Sequence, residues 1–204
     1  MEDASYMKRA LELAARGSGR TSPNPLVGAV IVKNGRIIGE GWHERAGEPH
    51  AEINAIMNSR ESVEGATIYV NLEPCSHFGK TPPCAEELVK RKFKRVVTAM
   101  EDPNPLVAGR GIKLLRESGI QVDVGILSIE ALKLNDIFIK HITVKEPFVL
   151  LKTAMTLDGK AASRTGDSKW ISGESSRAYV HSLRNRYSSI LVGVNTVIRD
   201  DPEL

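Results

Sequence analysis

Along the first two thirds of this 204-residue chain the apolar positions switch repeatedly between a helical and an extended period. From Asp3 to Arg16, the residues Met7, Ala10, Leu11, Ala14 and Ala15 recur three or four apart on one face, and Gly17 and Gly19 stop the helix. Ser22-Pro23-Asn24-Pro25 cannot continue it and predicts a shaped loop. Val27–Lys33 and Arg36–Trp42 flank Asn34-Gly35. That is a hairpin signal, because the pair accepts the positive φ angles of a type I′ turn. Pro49 suits the first turn of a helix running to about Met57. Strands are predicted over Thr67–Leu72, Arg95–Met100 and Gln121–Val124. Helices are predicted from Pro83 to about Lys92, over Ile112–Glu117 and over Ile129–Phe138.

The order α-β-β-α-β-α-β-α-β-α implies an α/β fold in which helices pack on a mixed sheet. Around Thr143–Pro147 the pattern restarts, with an apolar strand at Phe148–Lys152, a helix at Glu174–Arg186 and a strand at Ser189–Val194. Two strands and one helix do not close a core of their own, so this reads as the opening of a second α/β domain, part of a longer chain or of an assembly. The expected division is 1–144 and 145–204. No internal repeat or low-complexity segment is visible.

Composition changes this picture little. The chain is 41% hydrophobic and 26% charged, as a protein with a packed core should be. Its net charge of +3 and the lack of a basic run give no sign of a nucleic-acid partner. The N-terminal residues lack the apolar stretch of a signal peptide, and the longest apolar runs are far too short to span a bilayer. The expected location is therefore cytoplasmic, without a membrane partner. There, two cysteines are metal ligands or free thiols more often than a disulfide. Apolar strands left uncovered by a half-built domain also predict self-association into a homo-oligomer.

The candidate chemistry lies in His50-Ala51-Glu52, followed by Pro74-Cys75, eight residues, and Cys84. One imidazole and two thiols make a full set of protein ligands for a catalytic zinc ion, which keeps its fourth position for water. Glu52, two residues from the histidine, is placed to take that water's proton. The set matches the H-x-E…P-C-x-x-C signature of zinc deaminases, except that eight residues rather than two separate the cysteines. Pro49-His50 and Pro83-Cys84 both read as helix starts, where unpaired N–H groups favour a thiolate at Cys84. Two plainer readings stay open. The thiols can be buried side chains, with Glu52 merely complementing a helix dipole. Or a structural zinc site can close through a fourth ligand, His77, which would leave Glu52 without a role.

His50-Ala51-Glu52, with Pro74-Cys75-Ser76-His77-Phe78-Gly79-Lys80-Thr81-Pro82-Pro83-Cys84, resembles the bifunctional riboflavin-biosynthesis deaminase/reductase family, the RibD type. The same resemblance extends through Gly41-Trp42-His43, Asp102-Pro103-Asn104-Pro105, Lys152–Lys160, Ser168–Gly173, Gly193–Thr196 and Asp200-Asp201-Pro202. It implies a cytidine-deaminase-like three-layer α/β/α sandwich, followed by the N-terminal part of a dihydrofolate-reductase-like domain. By this resemblance His50, Cys75 and Cys84 bind zinc, and Glu52 shuttles protons during deamination of 2,5-diamino-6-(5-phosphoribosylamino)pyrimidin-4-one. Asn24, His43, His77, Lys80 and Asn104 are implied substrate contacts. Lys80 offers a cation to the phosphate, while Asn24 and Asn104 can equally serve only to shape their loops. In the second part, NADP contacts are implied at Ala154, Trp170, Thr196 and Asp200, and substrate contacts at Ser168, Arg184 and Leu204. No Gly-x-Gly-x-x-Gly is present to support a Rossmann site, Arg184 can be a solvated cation and Trp170 a core residue. Since that domain is only begun, reductase activity is expected to be undetectable. The rival readings are a zinc deaminase of another nucleobase or nucleoside and a zinc-stabilised module without activity.

Overall fold

The computed structural model describes residues 2–76, 82–105 and 107–202. The chain divides into two compact units, Met1–Phe148 and Val149–Leu204.

In the first unit, α1 (Glu2–Ala15) precedes the hairpin of β1 (Gly28–Lys33) and β2 (Arg36–Trp42). The turn residues Asn34 and Gly35 have φ of 51° and 72°, as the type I′ signal requires. There follow α2 (Ala51–Met57), β3 (Thr67–Val70), α3 (Cys84–Lys90), β4 (Arg95–Thr98), α4 (Arg110–Glu117), β5 (Gln121–Val124), α5 (Ser128–Leu134) and α6 (Asp136–Val144). The sheet order is β2-β1-β3-β4-β5. β1 runs antiparallel to β2 and β3, whereas β3, β4 and β5 are parallel.

Side chains alternate between two cores, as the period of a strand demands. Ala29, Ile31, Ile68, Val70, Val96 and Val122 face one core, with Ala51, Ala55, Ala85, Leu88, Ile112 and Leu115 from α2, α3 and α4. Val30, Val32, Tyr69 and Val97 face the other, with Met7, Ala10 and Leu13 of α1 and Ala131 of α5. Helices therefore cover both faces, which is why β1 reads as a nearly unbroken apolar run. This is the three-layer α/β/α arrangement with a mixed sheet. Leu88 has no solvent exposure, so Leu88→Ala is expected to cost about 2–5 kcal/mol, read from the shift of the denaturant midpoint.

An ion pair ties the start of α1 to the sheet. Arg95 on β4 donates from its two terminal nitrogens to the two carboxylate oxygens of Asp3, each at 2.9 Å, and from Nε to Asp123 at 2.6 Å. The Arg95 hydrogen bonds, then that from the Tyr69 hydroxyl, hold the Asp3 carboxyl down at about 2. A carboxyl depressed in the folded state stabilises the fold above its unfolded pKa of about 3.9 and loses that contribution as pH falls through the folded value. Asp3→Asn is thus expected to flatten the loss of stability between about pH 4 and 2, measured as denaturant midpoint against pH.

Two differences from the sequence pattern concern the ends of the first unit and the second. The helix predicted over Ile129–Phe138 is two helices, broken at Asn135. Its carboxamide is engaged elsewhere: Oδ1 accepts from the Leu26 N–H at 2.8 Å and Nδ2 donates to the Leu26 carbonyl at 3.0 Å. In the second unit, α7 (Glu174–Arg186) stands where predicted, and α8 (Val194–Asp200) follows it. Neither Phe148–Lys152 nor Ser189–Val194 forms a strand. A strand exists only through its ladder, and among the described residues neither segment has a paired partner. Most of their apolar side chains stay in solvent, Leu151 at 85% and Leu191 at 98%.

Candidate metal centre and active site

The register brings the relevant loops to one end of the sheet. Gly28 pairs with Trp42 and Ala29 with Val70, and Val70 pairs with Thr98. Consequently the loop before β1, the loop after β2 and the exits of β3 and β4 all leave the sheet at the carboxyl end of its parallel strands. Crevices at that end are where open α/β sheets bind ligands.

Two short helices then deliver the chemistry. α2 lies directly on β2, because a Cβ on Gly41 would stand 2.3 Å from the Ala55 nitrogen and only glycine permits that approach. Asn54 Nδ2 donates to the Trp42 carbonyl at 2.8 Å and fixes the helix lengthwise. His50 caps α2 in an extended conformation, and Glu52 sits in the first turn. Pro83 caps α3, so Cys84 is its first residue. Cys75 lies against that start: its sulfur accepts from the Cys84 N–H at 3.3 Å and its carbonyl from the Ala85 N–H at 3.0 Å.

The ligating atoms of His50, Cys75 and Cys84 lie within 4.8 Å of one another. His50 Nδ1 is 3.5 Å from Cys75 Sγ and 3.3 Å from Cys84 Sγ. Zinc–sulfur bonds of about 2.3 Å and zinc–nitrogen bonds of about 2.0 Å at a tetrahedral angle would hold sulfur and nitrogen about 3.5 Å apart. The donor set and its spacing thus fit a tetrahedral zinc ion with one position left over.

The charges of the site follow from its burial. Hydrogen bonding from the Cys84 thiol draws the Cys75 thiol down to about 4, with burial opposing and His50 assisting. The same contact and burial push Cys84 upward. The hydrogen bond to Cys75 raises His50. Glu52, only 3% exposed, is pushed up to about 7, first by burial and then by the Cys75 charge.

His43 and Asn24 meet beside this cluster. The His43 ring is edge-on to that of His50, with centroids 5.5 Å apart. Its Nδ1 is 3.1 Å from the Pro49 carbonyl, which can only accept, so Nδ1 carries the proton. Nε2 is then the acceptor for Asn24 Nδ2 at 3.0 Å. Burial lowers the His43 pKa and agrees with this neutral tautomer. Asn104 lies in the loop after β4, where its N–H is bonded to Asp102. His77, Lys80 and Leu204 lie outside the described residues.

In the second unit, Ser168 and Trp170 precede α7, Arg184 lies on α7, Thr196 and Asp200 lie on α8, and Ala154 is half-buried near the start. Trp170 is 70% exposed, so it is not a core residue of this unit. The Arg177 guanidinium stacks 4.4 Å from its ring centroid. Arg184 is 3.3 Å from His181 and has no carboxylate partner among the described residues.

The pattern reading missed three buried polar residues that frame the site. Asn71 accepts from the Gly28 N–H and donates to the Leu26 carbonyl, so the Pro-Asn-Pro loop is gripped by Asn71 on one side and Asn135 on the other. Glu73, 4% exposed, gathers main-chain N–H groups from a distant loop. The one available signal was a carboxylate at the end of an apolar strand, directly before Pro74-Cys75.

Comparison with known proteins agrees with this geometry. Residues 1–100 match a family model described as the cytidine and deoxycytidylate deaminase zinc-binding region, and residues 147–204 match the RibD C-terminal domain. The riboflavin biosynthesis protein RibD of Aquifex aeolicus is 54% identical over 202 residues, covering 99% of this chain and 57% of that protein. RibD of Escherichia coli is 50% identical, covering 100% and 56%. The Thermotoga maritima diaminohydroxyphosphoribosylaminopyrimidine deaminase/5-amino-6-(5-phosphoribosylamino)uracil reductase superposes with a TM-score of 0.94 at 51% identity, covering 98% of this chain and 58% of that one. The chain spans a little over half the length of these relatives.

Proposed function

The chain belongs to the RibD family of riboflavin-biosynthesis deaminase/reductases, and on that premise we propose that residues 1–144 form a zinc-dependent deaminase of 2,5-diamino-6-(5-phosphoribosylamino)pyrimidin-4-one. The observation that carries this reading is the convergence of His50, Cys75 and Cys84, with the buried carboxyl of Glu52 in the helical turn that follows His50.

His50, Cys75 and Cys84 would hold the zinc ion, which when bound would supply a Lewis acid able to bring the pKa of water towards about 7. The rest falls to the chain's own side chains. Glu52 is only 3% exposed, so a proton it takes from the attacking water is passed to the substrate rather than to bulk solvent. As the water oxygen bonds to the ring carbon, Glu52 passes on both of that water's protons in turn, the first to the ring nitrogen and the second to the exocyclic nitrogen. The carbon–nitrogen bond breaks, a carbonyl remains, and one water is consumed for each ammonia released. Asn24 is held by His43, which sets the face of its amide that a pyrimidine would meet. His43 in turn is fixed by Pro49, one residue from a zinc ligand. His77, Lys80 and Asn104 complete the proposed substrate contacts, with Lys80 as the cation for the phosphate.

Residues 145–204 are proposed as the start of the dihydrofolate-reductase-like domain, with NADP contacts at Ala154, Trp170, Thr196 and Asp200 and substrate contacts at Ser168, Arg184 and Leu204. Exposed Leu151, Leu157 and Leu191 support self-association, which sedimentation velocity would register. Among the described residues no helix is long and apolar enough to cross a membrane.

A second reading, deamination of a cytidine-type nucleoside or nucleotide, is favoured by the description of the family model over residues 1–100. The two separate in one competition assay. Ammonia released from the phosphoribosylated diaminopyrimidinone and not from cytidine or deoxycytidylate supports the first reading. The reverse preference replaces it with the second.

A further inference from the structure

We propose that Glu73 is a positioning residue of the metal centre: its buried carboxylate clamps the Pro74-Cys75 strand exit to the 102–112 segment and thereby sets where the Cys75 sulfur stands. The inference rests on the zinc reading above. Oε1 accepts from the Gly111 N–H at 2.8 Å and the Ile112 N–H at 3.2 Å. Oε2 accepts from the Asp102 N–H at 3.0 Å and the Gly109 N–H at 2.9 Å. Each oxygen thus serves two donors, and together they join the first turn of α4 to the loop that carries Asn104. Glu73 N–H is itself held by the Met100 carbonyl at 3.1 Å, so the backbone on which the clamp acts is fixed at both ends.

The contact admits no slack. A Cβ on Gly111 would stand 2.0 Å from the Pro74 carbonyl, so the start of α4 presses on the residue immediately before Cys75. Any relaxation of α4 is transmitted to that carbonyl and on to the ligand. A glutamine cannot replace the glutamate, because only one of its terminal atoms accepts. Its NH₂ would face two N–H donors at a side chain only 4% exposed.

The test is cobalt(II) binding to the full 204-residue chain, followed by the thiolate-to-cobalt charge-transfer absorption, for wild type, Glu73→Gln and Leu13→Ala. Leu13 is buried in the core on the opposite face of the sheet, so its truncation supplies a loss of stability unconnected with the ligands. All are compared at a temperature where circular dichroism shows them folded. Glu73→Gln is expected to weaken cobalt affinity about 10–100-fold and to shift the charge-transfer band, with Leu13→Ala unchanged in both. Wild-type affinity and band in Glu73→Gln, or an equal loss in Leu13→Ala, overturns the assignment. Where Glu73→Gln does not fold, Gly111→Ala, which displaces the same Pro74 carbonyl from the α4 side, is judged by the same two criteria. A wild-type chain that takes up no cobalt with a thiolate band refutes the zinc reading itself, a result distinct from failure of the Glu73 clamp.

Discussion

Glu52→Gln is expected to reduce ammonia release by about 10²–10⁴-fold while leaving the bound metal and the fold unchanged. The substitution keeps the size of the side chain and removes the capacity to take up and return a proton. That capacity is well matched to the task. Burial and the Cys75 charge push the carboxyl up to about 7, so it accepts and releases protons near neutral pH. A dication between the ligands acts in the opposite direction and favours the carboxylate, the form needed to begin the reaction. Because Glu52 is 3% exposed, bulk water is a poor substitute, and the loss should fall on kcat rather than KM. Turnover is measured on protein of known metal content. Undiminished turnover would remove Glu52 from the mechanism, and loss of the metal would make it a structural residue.

Cys84→Ala is expected to abolish both metal retention and turnover. Cys84 is fully buried at the first residue of α3, and its sulfur is 3.3 Å from His50 Nδ1. Alanine preserves the helix start and leaves a void of one atom, so the packing cost is small beside the lost coordination. What disappears is the metal's contribution to stability, which grows with the logarithm of ligand concentration over Kd. In a thermal scan the wild-type midpoint should fall when a chelator is added, whereas Cys84→Ala should already melt low and not respond. Equal sensitivity of the two to chelator would exclude Cys84 as a ligand.

The cluster of His50, Cys75 and Cys84 was legible in the sequence because its signal is local and chemical. Each of the three stands directly after a proline, and two of those prolines mark helix starts: α2 is capped by His50 and α3 by Pro83. The sheet was legible as well, since strands covered on both faces read as short apolar runs between turn residues. What escaped depends on contacts between distant positions. Nothing in the 129–138 pattern announces that Asn135 will bond Leu26, 109 residues earlier, and break a helix in doing so. Nor does spacing place Asn24 on His43; that pair exists because β1 and β2 lie in register. The strands expected near 150 and 190 were read from apolar content alone, and apolar content does not make a ladder where no partner is paired.

The central claim is a three-ligand zinc centre that deaminates a phosphoribosylated pyrimidine, and one titration tests it most directly. Metal-free protein is loaded stepwise with zinc, and ammonia released from 2,5-diamino-6-(5-phosphoribosylamino)pyrimidin-4-one is followed in the same samples. Release that rises in proportion to bound zinc and levels off at about one zinc per chain is the result predicted here. Full zinc occupancy without ammonia, or ammonia released equally without zinc, would contradict it.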